Sequence, residues 1–125
     1  MSEYSIPTLL AHLPESSDQV TIVNPSTGKK IYDLPQLSVA QVAKAVADAR
    51  LAQPAWAKST LKERSQALFR LHDLILKNQN NLMDLLQLET GKARSHAFEE
   101  IAGSLGSARY FAKIAPKTLK TQKTI

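Results

Sequence analysis

Residues able to do chemistry are thinly spread along this 125-residue chain. The stretch nearest to a ligand motif is LQLETGKARS, from Leu86 to Ser95, where Gly91-Lys92 has the look of the end of a phosphate-binding loop. A loop of the G-x-x-x-x-G-K-S/T type needs a glycine where this chain has Leu86, and a hydroxyl residue where it has Ala93. It also follows a strand, whereas Leu82 to Leu88 has the apolar spacing of a helix. Gly91 is therefore expected to end a helix in the left-handed conformation. Lys92 would then sit near the free carbonyl oxygens of that end, where a cation is favoured.

The other candidates are weaker. Gly103-Ser-Leu-Gly106 has the spacing of a nucleic-acid-binding GXXG loop but lies inside a helical pattern, where close helix packing accounts better for two glycines. His12, His72 and His96 have no metal-ligand spacing. Glu99 and Glu100 are adjacent, so on a helix they point about 100° apart and cannot act as an acid/base pair on one face. Trp56 reads as a packed aromatic. No cysteine is present, which removes disulfides, thiolate metal sites and a thiol nucleophile. No constellation in the sequence performs chemistry, and none is expected to hold a catalytic or cofactor-binding role.

Composition is that of a globular chain of one-domain size, 43% hydrophobic and 22% charged. No apolar run reaches the roughly 18 residues that would span a bilayer. The first residues lack the basic and apolar regions of a secretory signal. These features fit a cytoplasmic protein with no membrane partner. Residues 1–100 carry equal numbers of basic and acidic residues. The net charge of +5 therefore arises from Arg109, Lys113, Lys117, Lys120 and Lys123. Such a run is read as a solvated segment. A nucleic-acid partner is not expected, because no aromatic or arginine-rich reading surface accompanies it.

The elements that position these residues are mainly helical. Residues 1–19 read as an irregular arm. VTIVN, the turn NPSTG and KKIYDLP read as a β-hairpin over 20–35. Residues 36–115 read as four to five helices, and 116–125 as a basic tail. Ser38 and Gln41 form a capping box for a helix to about Leu51 that buries Val39, Val42, Val46 and Ala49. QPAWAKS is expected to break it. Thr60 and Glu63 form a second box for a helix to about Lys77, with Leu61, Leu68, Leu71 and Ile75 inward. Asn80 or Asn81 is expected to cap a third helix. Its Leu82, Met83, Leu85, Leu86 and Leu88 occupy more than one face, so it should lie between others. A last helix from about Ala93 to Ala115 places Ala97, Ile101, Leu105, Ala108, Ala112 and Ala115 on one stripe, closed by Pro116.

The order of these pieces is specific. VNPSTGKKI is followed by QVAKAVADARLAQPAWAKSTLKERSQALFRLHDLI, then LMDLLQLETGKARSHAFEEI, then ARYFAKIA. Over about residues 20–115 this resembles the opening segment of the aldehyde dehydrogenase superfamily, with its N-P-x-T-G turn, its V-x-x-A-V-x-x-A-R helix and its E-x-G-K helix end. The wording around LMDLLQLETGKAR and EEI most resembles bacterial succinate-semialdehyde dehydrogenases.

The resemblance implies an α/β parent enzyme several times longer than this chain, in which a cysteine attacks an aldehyde and hydride passes to NAD or NADP. The cofactor, nucleophile and base motifs of that family lie downstream of the matched segment. The chain is thus expected to be an N-terminal fragment, inactive alone, contributing the helical part of the cofactor-binding domain. Its partner is expected to be the remainder of the same polypeptide, in a parent that is a homo-oligomer. The alternative is an independent helical protein-interaction module. The resemblance also implies that Glu89 and the Val23 carbonyl match positions that hold a structural monovalent cation in some family members.

Overall fold

A computed structural model describes residue 11 and residues 13–121. His12, Lys123 and most of the expected arm lie outside the described residues. The hairpin is present as β1 (Gln19–Val23) and β2 (Lys30–Pro35), paired antiparallel from Gln19 opposite Pro35 to Ile22 opposite Tyr32. An irregularity between Ile22 and Val23 then brings Val23 opposite Lys30. Asn24 organises the turn. Its side-chain oxygen accepts from the N–H groups of Ser26 and Thr27 at 2.8 and 3.2 Å, and its carbonyl accepts from Gly28, whose φ is +68°. Across the strands Thr21 donates to Asp33 at 2.7 Å, and Lys30 pairs with the same carboxylate.

Four helices follow: α1 (Val39–Lys58), α2 (Leu61–Lys77), α3 (Gln79–Thr90) and α4 (Arg94–Thr118). Both expected capping boxes are formed, Ser38 with Gln41 and Thr60 with Glu63. The first helix departs from expectation in two ways. It runs through Pro54 to Lys58 with no break at QPAWAKS, and it buries none of its residues. Val39, Val42, Val46 and Ala49 are all exposed, Val39 at 88%. The two departures share a cause. A helix with no neighbour over its apolar face keeps its carbonyl oxygens in water, so the hydrogen bond that Pro54 cannot donate is replaced by hydration.

The core lies between α2, α3 and α4. Met83, Ala97 and Ile101 are buried together, with Ile75, Leu82, Leu86 and Leu105 packed around them. Ala108 and Ala112 extend the buried stripe of α4, as its alanine spacing predicts. Small side chains on that stripe let α2 approach α4 closely. Leu61, Leu68 and Ile75 are half-buried, whereas Leu71 is exposed, on the outer side of α2. Only Met83 of α3 is fully buried, and its leucines are half-covered, so α3 is not enclosed between other helices. Its N-cap is Asn78 in place of Asn80 or Asn81. The Asn78 side chain donates back to Leu74 at 2.8 Å and leaves the α3 N-terminus without a side-chain cap. Pro116 lies inside the last turn of α4 and does not end it, because this turn too is open to water.

Candidate functional site

The corner between α3 and α4 carries the residues singled out in the sequence. Gly91 has φ +69°, and its N–H donates to Gln87 at 2.9 Å, so it is the left-handed helix cap. A Cβ at Gly91 would stand 3.0 Å from both Pro25 Cγ and Ser26 Oγ. The glycine thus also lets the hairpin turn seat against the end of α3. The Lys92 ammonium meets Glu100 on α4 in place of the helix-end carbonyl oxygens. Arg94 closes the corner from outside, donating to Asp84, to Gln87 at 3.0 Å and to Asn80 at 3.4 Å.

Glu89, just short of that corner, accepts a hydrogen bond from the Tyr32 hydroxyl of β2. Glu89 and Glu100 stand on a shallow groove of about 270 Å³ that is otherwise lined by Leu82, Leu85, Leu86, Ile101 and Ser104. Each carboxylate has a partner, Tyr32 for Glu89 and Lys92 for Glu100. Val23 stands on β1 of the hairpin that meets α3 through Tyr32. One carboxylate and one main-chain carbonyl do not complete a cation site, and the described residues contain no group of three or more His, Cys, Asp or Glu able to hold a metal.

The remaining candidates stay apart. His72 has Asp73 at 2.9 Å from Nδ1, and His96 is exposed. Trp56 is 53% exposed instead of packed, with the Arg64 guanidinium 6.0 Å from its ring centre. Gly103 and Gly106 lie within α4, so no GXXG loop exists. Nor do they serve close helix packing: a Cβ at either would meet open space. Arg109, Lys113, Lys117 and Lys120 are exposed, consistent with a solvated face.

The residues described do not fit a dinucleotide. Its pyrophosphate needs main-chain N–H groups at a helix N-terminus behind a glycine turn. The positive-φ glycines here are Gly28, in a hairpin turn, and Gly91, at a helix C-terminus whose partial negative charge repels phosphate. The groups lowered in pKa are equally structural. Lys30, and then Thr21, hold Asp33 below its ordinary value. The backbone N–H and the hydroxyl of Thr60 do the same for Glu63.

The described residues form a two-stranded hairpin and four helices, with Tyr32, Glu89 and Gly91 brought together at the α3–α4 corner. The Aldehyde dehydrogenase family matches residues 12–125, and the chain belongs to that family. It is 43% identical, over 82% of its length, to a Mycobacterium tuberculosis protein provisionally named a succinate-semialdehyde dehydrogenase using NADP(+), of which it covers 20%. It is 33% identical, again over 82% of its length, to the 3-sulfolactaldehyde dehydrogenase of Pseudomonas putida, covering 21% of that protein. The crystal structure of succinate-semialdehyde dehydrogenase from Burkholderia pseudomallei matches 86% of this chain with a TM-score of 0.79 and 30% identity, over 22% of its own length. The chain thus spans about a fifth of the curated relatives it matches.

The signal that points to the family in the sequence is the order of its motifs. Sequence reasoning misses Tyr32 as the partner of Glu89, since 57 residues separate them. It also misses the close approach of the Pro25–Ser26 turn to Gly91, although both stretches, NPSTG and ETGK, stand out as motifs.

Proposed function

We propose that this chain is the N-terminal segment of an NAD(P)-dependent aldehyde dehydrogenase that oxidises succinate semialdehyde to succinate. The observation that carries the reading is the family match over residues 12–125 in a chain with no cysteine. Oxidation through a thioester requires a thiolate, so the nucleophile must come from elsewhere in the polypeptide. Exposed apolar side chains support the same view. Val39, Val46 and Leu51 on α1 and Phe98, Tyr110 and Phe111 on α4 are each more than half exposed. The uncovered faces of α1 and α4 are what a scaffold segment presents to the rest of its own polypeptide. An independent interaction module would bury its own helices.

The substrate is inferred from the names of the relatives. Succinate semialdehyde and 3-sulfolactaldehyde are both short aldehydes with an anionic group at the far end, and that class is the coarser form of the reading. A homo-oligomeric parent in the cytoplasm belongs to the same proposal. So does a monovalent cation between Glu89 and the Val23 carbonyl, with further ligands from outside the described residues. The test is an assay of a polypeptide of the relatives' full length that contains this segment. Reduced nicotinamide should form with succinate semialdehyde and form more slowly with uncharged aldehydes of equal length. Absence of aldehyde oxidation with both NAD and NADP would overturn the enzyme reading. Equal rates on charged and uncharged aldehydes would overturn the substrate.

A further inference from the structure

The hairpin is stapled within itself, joined at its base to the start of α1, and tied to the α2–α4 helices at one corner. Internally it holds the β1–β2 ladder, the Asn24 turn, and the Thr21–Asp33–Lys30 cross-strand cluster. Its base is joined to the start of α1. Gln36 donates to the Asp18 carbonyl at 2.8 Å, the Ser16 hydroxyl bonds the Gln36 carbonyl, and the Gln41 side chain donates to the Glu15 carbonyl at 2.9 Å. Toward the α2–α4 core the ties are few. Among the described residues the one hydrogen bond from the hairpin to these helices is Tyr32 to Glu89, and Pro25 and Ser26 lie close enough to Gly91 that a Cβ there would stand 3.0 Å from each.

We propose that the hairpin is a strap latched to the α3–α4 corner by Tyr32 on Glu89, and that it releases as one unit when that bond is lost. The latch is a hydroxyl on a half-buried strand residue meeting a half-buried carboxylate. A charged acceptor makes such a bond stronger than a neutral one. The close approach of the turn to Gly91 positions the hairpin without a hydrogen bond. Internal cohesion exceeds attachment, so the hairpin leaves the corner as one unit; once undocked, a lone two-stranded ladder is only marginally stable in water, and its amides open to exchange. The proposal stands independently of the enzymatic reading.

Hydrogen exchange on the purified chain tests it with three variants. Tyr32→Phe keeps the ring and removes the donor. Glu89→Ala removes the acceptor. Glu89→Gln keeps an oxygen that accepts from Tyr32. Amides of residues 19–35 should exchange about threefold faster or more in Tyr32→Phe and Glu89→Ala. The Glu89→Gln protein should stay below that threshold, and amides of α2 and α4 should not change in any of the three. Acceleration of the hairpin by less than about threefold in the first two variants would overturn the latch. Equal acceleration throughout α2 and α4 would show a general support of the fold and overturn it as well. Loss of protection in Glu89→Gln equal to that in Glu89→Ala would do the same, because the bond itself would then not be what holds the strap.

Discussion

Gly91 meets two demands at once: a left-handed φ of +69° and a gap that a methyl group would close to 3.0 Å against Pro25 and Ser26. A Gly91→Ala chain should lose about 1 kcal/mol or more, read as a lower urea midpoint with an unchanged slope. Thr60 and Glu63 act at the other end of a helix. Thr60→Ala should cost about 1 kcal/mol by removing the cap of α2. The acid limb follows from the carboxylates. Glu63 and Asp33 are held below their ordinary values in the folded chain. Their contributions are complete above the ordinary carboxylate range and fade as pH falls through the lowered values. Combining Glu63→Gln with Asp33→Asn should therefore flatten the loss of helicity as pH falls below about 5, followed by circular dichroism.

The helices divide into a packed set and a solvated one, and substitutions should follow that division. Ile101 is 7% exposed at the centre of the α3–α4 contact, and Ile101→Ala should cost about 3 kcal/mol. Val46 is 57% exposed on α1, and Val46→Ser should change stability of this chain by less than about 0.5 kcal/mol. Both are read from denaturant midpoints. The packed set was legible in the sequence, because Ala97, Ile101, Ala108 and Ala112 repeat at helical spacing and bury as that spacing demands. The capping boxes and the Gly91 stop were legible for a local reason: their partners lie within four residues. The apolar stripe of α1 was equally clear as a pattern, but a pattern names a face without naming what covers it. Pro54 and Pro116 misled because each helix end is open to water, which takes the place of the missing donor. In the candidate site, the glycine was readable and the Tyr32–Glu89 bond was not, since no short-range rule links a strand residue to a helix 57 positions later.

At the scale of the whole chain, charge and surface point to different partners, and cofactor binding separates them. The basic excess lies on exposed residues of the last helix and just beyond it, Arg109, Lys113, Lys117 and Lys120. These cations attract the phosphates of a dinucleotide without a cradle to orient them. Gly91 cannot supply that cradle from a helix C-terminus, and the Lys92 ammonium is committed to Glu100. Calorimetry of the purified chain with NAD or NADP should therefore give at most weak, millimolar-range binding that vanishes as salt rises, because attraction between exposed charges is screened within about 10 Å at 0.1 M salt. No aldehyde should be turned over, for want of a thiolate. Micromolar binding that persists at high salt would require a built phosphate site. It would overturn the proposal that the cofactor is held by residues outside this segment, and Lys92→Ala would then show whether the GK pair supplies that site.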